Sequence, residues 1–373
     1  MLAPTFKPVG ISAIGVYEPP WVLGNEWFDG VLSRKFVQHT GIQSRRISLE
    51  DEVTMGVRAV DSLQREVNYD PRDCAAVVFA SPSFVPVDVA RKHLEPQQIP
   101  AERTALAAQQ LACRLGISTE RIVGLNWYCS GYSKAMAIVH RHILPGMILR
   151  QNQFLLVVTV SRISRITDYA CRQTAPLFGD MATATLLAGT DSKKYPVHFT
   201  LLSADAETYP TERVLFDFHL RENVLTPTPD GGRGLVPRRL VYSLDGMGIG
   251  DAAPRCMADS LAKMLKVTDL PPEDVRFVVP HQAGTGIVRL AAMKLEEIGL
   301  HSEVFNGFNG EIGNVSSCSI PYALKKAWTR LHGTIACPTA GVGPPGVPKV
   351  TRGCILLRST AIHERSLGRL DAA

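Results

Sequence analysis

Val123-Gly124-Leu125-Asn126-Trp127-Tyr128-Cys129-Ser130-Gly131-Tyr132 sets a cysteine at the seam between an apolar strand and a helix. Residues 121–128 read as a buried strand, and residues 130–143 carry Met136, Ile138, Val139 and Ile143 at helical spacing. A thiol at that seam faces the free N–H groups of the first helical turn. The helix dipole favours an anion there, which predicts a lowered thiol pKa and a thiolate populated near neutrality. Taken alone, a cysteine in such surroundings is more often a small core residue.

Two further corners shift that balance. Phe277-Val278-Val279-Pro280-His281-Gln282-Ala283-Gly284 ends a strand on a histidine, and a helical run from Ile287 to Ile298 follows. Asn309-Gly310-Glu311-Ile312-Gly313-Asn314-Val315-Ser316-Ser317 is a Gly-rich turn that delivers Asn314 at the head of another helical run, Ile320 to Leu331. Alone, His281 is equally a core histidine and Asn314 a helix cap. One Cys, one His and one Asn, each at a strand-to-helix corner, form a constellation for thioester chemistry.

The wider sequence is that of an ordinary globular enzyme. Its 373 residues suffice for one large domain or two fused halves, with 45% hydrophobic and 20% charged residues. A net charge of +5 is small for this length, and no basic run interleaved with aromatics points to nucleic acid. The eight cysteines (Cys74, Cys113, Cys129, Cys171, Cys256, Cys318, Cys337, Cys354) form no CxxC pair, which argues against a zinc site and a disulfide framework and suits a reducing, cytoplasmic setting. Met1 to Gly15 lacks a signal-peptide pattern, and the apolar run Phe154 to Val160 is too short to span a membrane.

The chain also repeats itself faintly. A helical stretch at Thr54–Val67 containing Asp61-Ser62-Leu63 leads to Pro71-Arg72-Asp73 and the strand Ala76–Ala80. A second at Pro254–Leu265 containing Asp259-Ser260-Leu261 leads to Pro272-Glu273-Asp274 and the strand Phe277–Val279. This pattern predicts two similar α/β halves, residues 1–190 and 191–373, divided where Gly-Thr-Asp-Ser-Lys-Lys interrupts the chain near Gly189. The apolar strands at Leu155–Val160, Ala184–Leu187, Thr334–Cys337 and Cys354–Leu357 suit sheets buried on both faces. Residues 206–250 read as a polar surface excursion over the second half. Residues 81–107, punctuated by Pro82, Pro86, Pro96 and Pro100, read as a long connection, and residues 362–373 as a frayed tail.

These motifs together resemble the β-ketoacyl-acyl-carrier-protein synthase III branch of the thiolase superfamily. The resemblance runs from Ile14-Gly15-Val16-Tyr17-Glu18-Pro19 and Asn25 through Thr40-Gly41-Ile42-Gln43-Ser44-Arg45-Arg46-Ile47, Cys129-Ser130-Gly131-Tyr132 and Phe178-Gly179-Asp180 to His281-Gln282-Ala283 and Gly313-Asn314-Val315-Ser316-Ser317. It implies a five-layered α-β-α-β-α fold of two pseudo-duplicated halves, usually a homodimer; no cofactor or metal is expected. It implies that Cys129 holds an acyl group taken from a carrier protein or coenzyme A. His281 and Asn314 then stabilise the enolate left when a malonyl-type thioester loses CO₂. The oxyanion hole would combine the N–H of Cys129 with a Gly-rich loop N–H. In Gly341-Val342-Gly343-Pro344-Pro345-Gly346 the prolines cannot donate, which makes Gly343 the candidate.

Departures from the family pattern bear on the substrate. Lys35 and His39 stand where coenzyme A-primed members carry a Trp and an Arg, which shifts the expected donor toward a carrier protein. Gly286 stands at a basic carrier-docking position, for which Arg289 and Lys294 are the candidate substitutes, and Phe178 is a candidate substrate contact. The main rival reading is an acyltransferase that passes the acyl group from Cys129 to an alcohol or amine without decarboxylation. A cysteine hydrolase would not need the duplicated halves. A non-catalytic subunit of the same fold would have lost part of the Cys129, His281 and Asn314 set.

Overall fold

The computed structural model describes residues 7–28, 32, 34–95 and 104–370. The chain opens with β1 (Val9–Tyr17), then a short antiparallel pair, β2 (Trp21–Gly24) and β3 (Ser44–Ile47), on either side of α1 (Arg34–Thr40). There follow α2 (Glu52–Gln64), β4 (Cys74–Ala80), α3 (Val87–His93), α4 (Thr104–Arg114), β5 (Ile122–Leu125), α5 (Gly131–Ile138), β6 (Phe154–Ser161) and β7 (Met181–Gly189). The second stretch runs β8 (Phe199–Pro210), β9 (Phe216–Pro227), β10 (Arg233–Leu244), α6 (Gly246–Thr268), β11 (Val275–Val278), α7 (Thr285–Glu297), β12 (Glu303–Val304), α8 (Ser319–Lys326), β13 (Thr334–Val342), β14 (Lys349–Ser359) and α9 (Ala361–Leu370).

Ten strands form one sheet in the order β12-β11-β13-β14-β8-β1-β7-β6-β4-β5. From either edge inward the pattern is the same: three parallel strands, then two antiparallel ones. The two fives are joined where Gly10 and Ile11 of β1 pair with Thr200 and Phe199 of β8. All residues of β4, β6, β7 and β13 are buried, which explains their unbroken apolar and β-branched runs.

Five layers result. α2 and α4 cover the outer face of the first five strands, and α6 covers the outer face of the second five with α7 against it. Between them, α5 touches β4 and β6 on one side and β8 and β14 on the other, with α8 beside it on β1 and β7. The central core accordingly mixes Ile14, Val78, Met136 and Val157 with Phe199, Ile320, Ile335 and Leu357.

Several local expectations change. Residues 81–107 are not one loop, because α3 and the start of α4 lie within them; Pro96 and Pro100 fall outside the described residues. α6 starts ahead of Pro254, where the Asp245 carboxylate caps it by accepting from the Gly248 N–H at 3.0 Å. The frayed tail is instead helix α9 up to Leu370, held by the buried His363, whose Nε2 lies 2.8 Å from the Leu331 carbonyl.

The largest change concerns residues 206–250. Their β9 and β10 pair over eleven registered residues into a long ribbon that crosses to the first half. The Trp27 Nε1–H donates to the Gly232 carbonyl at 3.2 Å, Arg233 donates to the Trp27 carbonyl at 2.8 Å, and the Tyr169 N–H donates to the Leu225 carbonyl at 3.0 Å.

Candidate active site

Cys129 is the middle residue of a three-residue 3₁₀ turn, Tyr128–Ser130, that runs straight into α5. Tyr128 takes a left-handed backbone (φ 47°), so the chain leaves β5 through a sharp elbow. Gly131 is required there: a Cβ on it would stand 2.9 Å from the Cβ of Ser317. The Cys129 sulfur accepts from the Ser316 hydroxyl at 3.5 Å, and the Val342 N–H and its own N–H also reach it. The Thr339 hydroxyl donates to the Cys129 carbonyl at 3.4 Å.

The expected low thiol pKa is overturned. Burial pushes the Cys129 thiol up to about 11, and the hydrogen bonds from Ser316, Cys129 N–H and Val342 N–H only offset part of that. Desolvating a charge costs more than the dipole of a short helix returns. Cys129 as a residue is half-buried, and the direction of its shift, upward, is the reverse of the sequence expectation.

The structure sets the Val342 N–H, next to the oxyanion candidate Gly343, against the thiol. A Cβ on Gly341 would lie 2.7 Å from the Cys129 Cβ, whereas one on Gly343 would strike the Lys349 carbonyl at 2.1 Å. β13 pairs with β14 through Val342↔Val350, and Gly343 lies beyond that last pair. The backbone donor on this strand that faces the thiol is Val342.

His281 follows the end of β11 and is buried. Its N–H donates to the Pro338 carbonyl at 3.0 Å, which fastens it to β13 one residue from Thr339. Burial lowers its imidazole pKa to about 4, so the ring is neutral at pH 7. Its Nδ1 is buried without a hydrogen-bond partner among the described residues. Gln282 locks the corner: its N–H donates to the Ser319 hydroxyl at 2.6 Å, and its side-chain amide to the carbonyls of Pro280 and Phe305 at 2.9 and 3.1 Å.

Asn314 is also buried. Its Oδ1 accepts from the Ser316 N–H at 2.9 Å, which leaves Nδ2 as its free donor. Its main chain forms a bridge with Phe178, donating to the Leu177 carbonyl at 2.8 Å and accepting from the Gly179 N–H at 3.1 Å. A Cβ on Gly179 would lie 1.9 Å from the Ile312 carbonyl, so the Phe-Gly-Asp turn fixes the asparagine loop by close backbone contact. Arg45, fully buried, supports the same region by donating to the carbonyls of Leu23 and Pro176 and to Asn25 Oδ1 at 3.0, 2.9 and 2.5 Å. Burial lowers its pKa to about 10, which still leaves it charged.

Cys129, His281 and Asn314 thus hang on adjoining segments: Ser316 joins the asparagine loop to the thiol, and β13 joins the histidine corner to it. The outlying candidates do not converge as well. Phe178 packs edge-on to Tyr242 at 5.7 Å. Lys35 and His39 are exposed on α1, with His39 Nδ1 2.6 Å from the Lys35 carbonyl. The His39 carbonyl would stand 2.6 Å from a Cβ on Gly286, so α1 packs against α7 too tightly for a side chain at position 286. Lys294 pairs with Glu297 of its own helix at 2.6 Å, while Arg289 is exposed beside Leu290 and Met293.

Reading the sequence missed Ser316, Thr339 and Val342, all ordinary residues by type. It also missed Phe216, Phe218 and Tyr242 of the ribbon, which join Tyr128, Ile163, Ile166 and Val342 in one buried cluster. The alternation of Phe216 and Phe218 along β9 was the available signal.

Comparison with known proteins agrees with this fold. The family profile described as 3-oxoacyl-[acyl-carrier-protein] synthase III matches residues 124–206, and its C-terminal counterpart matches residues 265–343. The chain is similar to β-ketoacyl-[acyl-carrier-protein] synthase III of Rhodobacter capsulatus (27% identical over 327 residues, 86% of this chain and 90% of that one). It is similar to the Deinococcus deserti protein of the same name (28% over 335 residues, 85% and 82%). The solved 3-oxoacyl-[acyl-carrier-protein] synthase III of Aquifex aeolicus superposes with a TM-score of 0.67 at 24% identity, covering 94% of this chain and 99% of that one. A priming β-ketosynthase from a polyketide biosynthetic pathway gives 0.67 at 21% identity, covering 96% and 98%.

Proposed function

This chain belongs to the 3-oxoacyl-[acyl-carrier-protein] synthase III family of the thiolase superfamily, and from that premise we propose that it joins an acyl group carried on Cys129 to a malonyl-type thioester. The supporting observation is the division of the site. One half offers a thiol at a helix start, and the other offers two neutral side chains, His281 and Asn314.

In the first stage the Cys129 sulfur attacks the acyl thioester carbonyl. The N–H groups of Cys129 and Val342 receive the tetrahedral oxygen, and the donor thiol leaves with the proton that Cys129 gives up. In the second stage the malonyl thioester carbonyl accepts hydrogen bonds from Asn314 Nδ2 and His281 Nε2. With Nδ1 buried and unpartnered, the proton of the neutral ring belongs on Nε2. The bond to the carboxylate breaks, CO₂ departs, and its electron pair becomes the enolate. The enolate carbon attacks the acyl-cysteine carbonyl, the Cys129 thiolate leaves and takes a proton from water, and the product is a 3-oxoacyl thioester. Transfer to an alcohol or amine needs no enolate and gives the fixed Asn314 amide nothing to do.

We also propose that residues 1–190 and 191–373 are the two functional halves, that the protein acts as a cytoplasmic homodimer, and that a carrier protein supplies the donor. No helix among the described residues is long and apolar enough to cross a membrane. Neither the exposed Lys35 nor the exposed His39 offers the broad indole face that a Trp would set against an adenine, and Arg289 offers a cation to an acidic carrier.

The test is to incubate the protein with acyl thioesters on coenzyme A and on a carrier, weigh the intact protein, and then add carboxyl-labelled malonyl thioester. An acyl adduct that maps to Cys129 and disappears as labelled CO₂ is released supports the proposal. Adduct discharge onto an amine or alcohol without CO₂ refutes it.

A further inference from the structure

Helix α1 ends against the second half, and two side chains of that half take its last two carbonyls. The Thr285 hydroxyl donates to the His39 carbonyl at 3.4 Å, and the Asn309 Nδ2–H donates to the Thr40 carbonyl at 3.1 Å. The final carbonyls of a helix have no partner within it, so such caps fix where the helix ends. Thr285 comes four residues after His281, and Asn309 five residues before Asn314. One short helix therefore holds both segments that carry the proposed decarboxylation pair.

The tie at Asn309 reaches to Asn314 itself. Asn309 is buried, and its own carbonyl accepts from the Gly313 N–H at 2.9 Å. Gly313, left-handed at φ 74°, is the residue before Asn314. The loop between them is pinned to the chain that leaves α1. The Gly310 carbonyl accepts from the Gln43 and Ser44 N–H groups at 2.7 and 3.2 Å, and the Ser44 hydroxyl donates to the Glu311 carbonyl at 3.0 Å. A Cβ on Gly41 would stand 2.5 Å from the Thr285 Cγ2, so the turn out of α1 packs directly on the start of α7.

An asparagine at this place is not the most stable choice. Its Oδ1 is buried without a hydrogen-bond partner among the described residues. A buried acceptor left unpaired destabilises a fold, and an apolar side chain of similar shape would avoid that loss. What the amide gives in return is the bond from its Nδ2 to α1.

We propose that Asn309 is a positioning residue: by fastening the Asn314 loop to the end of α1, it sets the Asn314 amide at the distance from His281 at which both donate to one malonyl thioester oxygen. This rests on the reading of His281 and Asn314 as the decarboxylation pair.

The experiment uses Asn309→Leu, which keeps roughly the size of the side chain and removes the donor, beside Asn314→Ala and the double variant. Acyl loading of Cys129 is read by intact mass, decarboxylation by CO₂ released from carboxyl-labelled malonyl thioester, and folding by thermal unfolding. Asn309→Leu should load at close to the wild-type rate and melt within about 4 °C of it, since the lost bond is offset by the removed orphan acceptor. Its CO₂ release at saturating malonyl thioester should fall by about 10-fold or more, the scale of a donor displaced by part of an ångström. In the Asn314→Ala background the same substitution should change CO₂ release by less than about 2-fold, because the group it positions is gone. A merely structural role would carry the full loss into both backgrounds.

Wild-type CO₂ release in folded Asn309→Leu would overturn the proposal. So would equal falls in loading and CO₂ release, or an undiminished loss in the Asn314→Ala background. If Asn309→Leu does not fold, Asn309→Ala is judged by the same three outcomes. If Asn314→Ala alone releases CO₂ at the wild-type rate, the reading of Asn314 fails first, and the inference falls with it.

Discussion

The corner that carries Cys129 and the corner that follows Asn314 are built alike. In each, one residue takes a left-handed backbone, Tyr128 at φ 47° and Ser316 at φ 48°. In each a three-residue 3₁₀ turn follows, Tyr128–Ser130 and Ser316–Cys318, and then an eight-residue helix, Gly131–Ile138 and Ser319–Lys326. The helices start against each other at Gly131 and Ser317. The position of Cys129 is taken in the second corner by Ser317, whose hydroxyl is buried without a partner among the described residues. On the proposed reading, a duplicated scaffold carries different chemistry: a nucleophile on one side, and on the other a neutral amide two residues ahead of the turn, with the reaction placed where the two corners meet.

The strongest way to break this comparison is to remove the two equivalent side chains. Cys129→Ala should lower turnover by about 10⁴-fold or more, the scale of losing a covalent nucleophile. Ser317→Ala should stay within about 2-fold of the wild type. Similar losses in the two variants, measured as steady-state condensation, would mean that the corners share one role.

A smaller effect separates burial from the helix dipole. With the thiol raised to about 11, alkylation of Cys129 by iodoacetamide should accelerate close to 10-fold per pH unit between pH 7 and 10. A rate that levels off below pH 8 would restore the low-pKa expectation. Ser316→Ala removes a hydrogen bond that favours the thiolate, so acylation should slow by about 5-fold, the worth of about 1 kcal/mol.

The smallest effect concerns His281. Its folded pKa of about 4 lies below the unfolded value of 6.5, so the unfolded chain binds the proton first as pH falls. Its contribution to stability is complete above pH 6.5 and is lost progressively between 6.5 and 4. Thermal unfolding across that window should show a decline that His281→Gln weakens. An identical decline in the variant would assign it to other groups.

Much of the Cys129 and His281 corners was legible because the signal is local: an apolar run, a reactive residue, then helical spacing. The faint repeat around Asp61 and Asp259 had the same local character, and it falls in α2 and α6, which cover equivalent parts of the sheet. What could not be read depends on residues far apart. The Cys129 pKa is set by burial that the neighbouring sequence does not announce. Val342 rather than Gly343 faces the thiol because β14 sets the register of β13. The ribbon looked like polar surface because much of one face is exposed and its turn, Thr226 to Gly234, is rich in Pro and Gly; the buried alternation of Phe216, Phe218, Val224, Leu240 and Tyr242 shows its purpose only once it lies across the other half.

The central claim, that one corner loads the acyl group and the other drives decarboxylation, is tested most directly by following the two stages separately in His281→Ala and Asn314→Ala. Acyl loading of Cys129, read by intact mass, should proceed at close to the wild-type rate in both variants. Release of labelled CO₂ from the malonyl thioester should fall by about 10²-fold or more, the scale of losing one oxyanion-type donor. Normal CO₂ release with impaired loading would place the histidine and asparagine in the first stage and contradict the division of labour between the two corners.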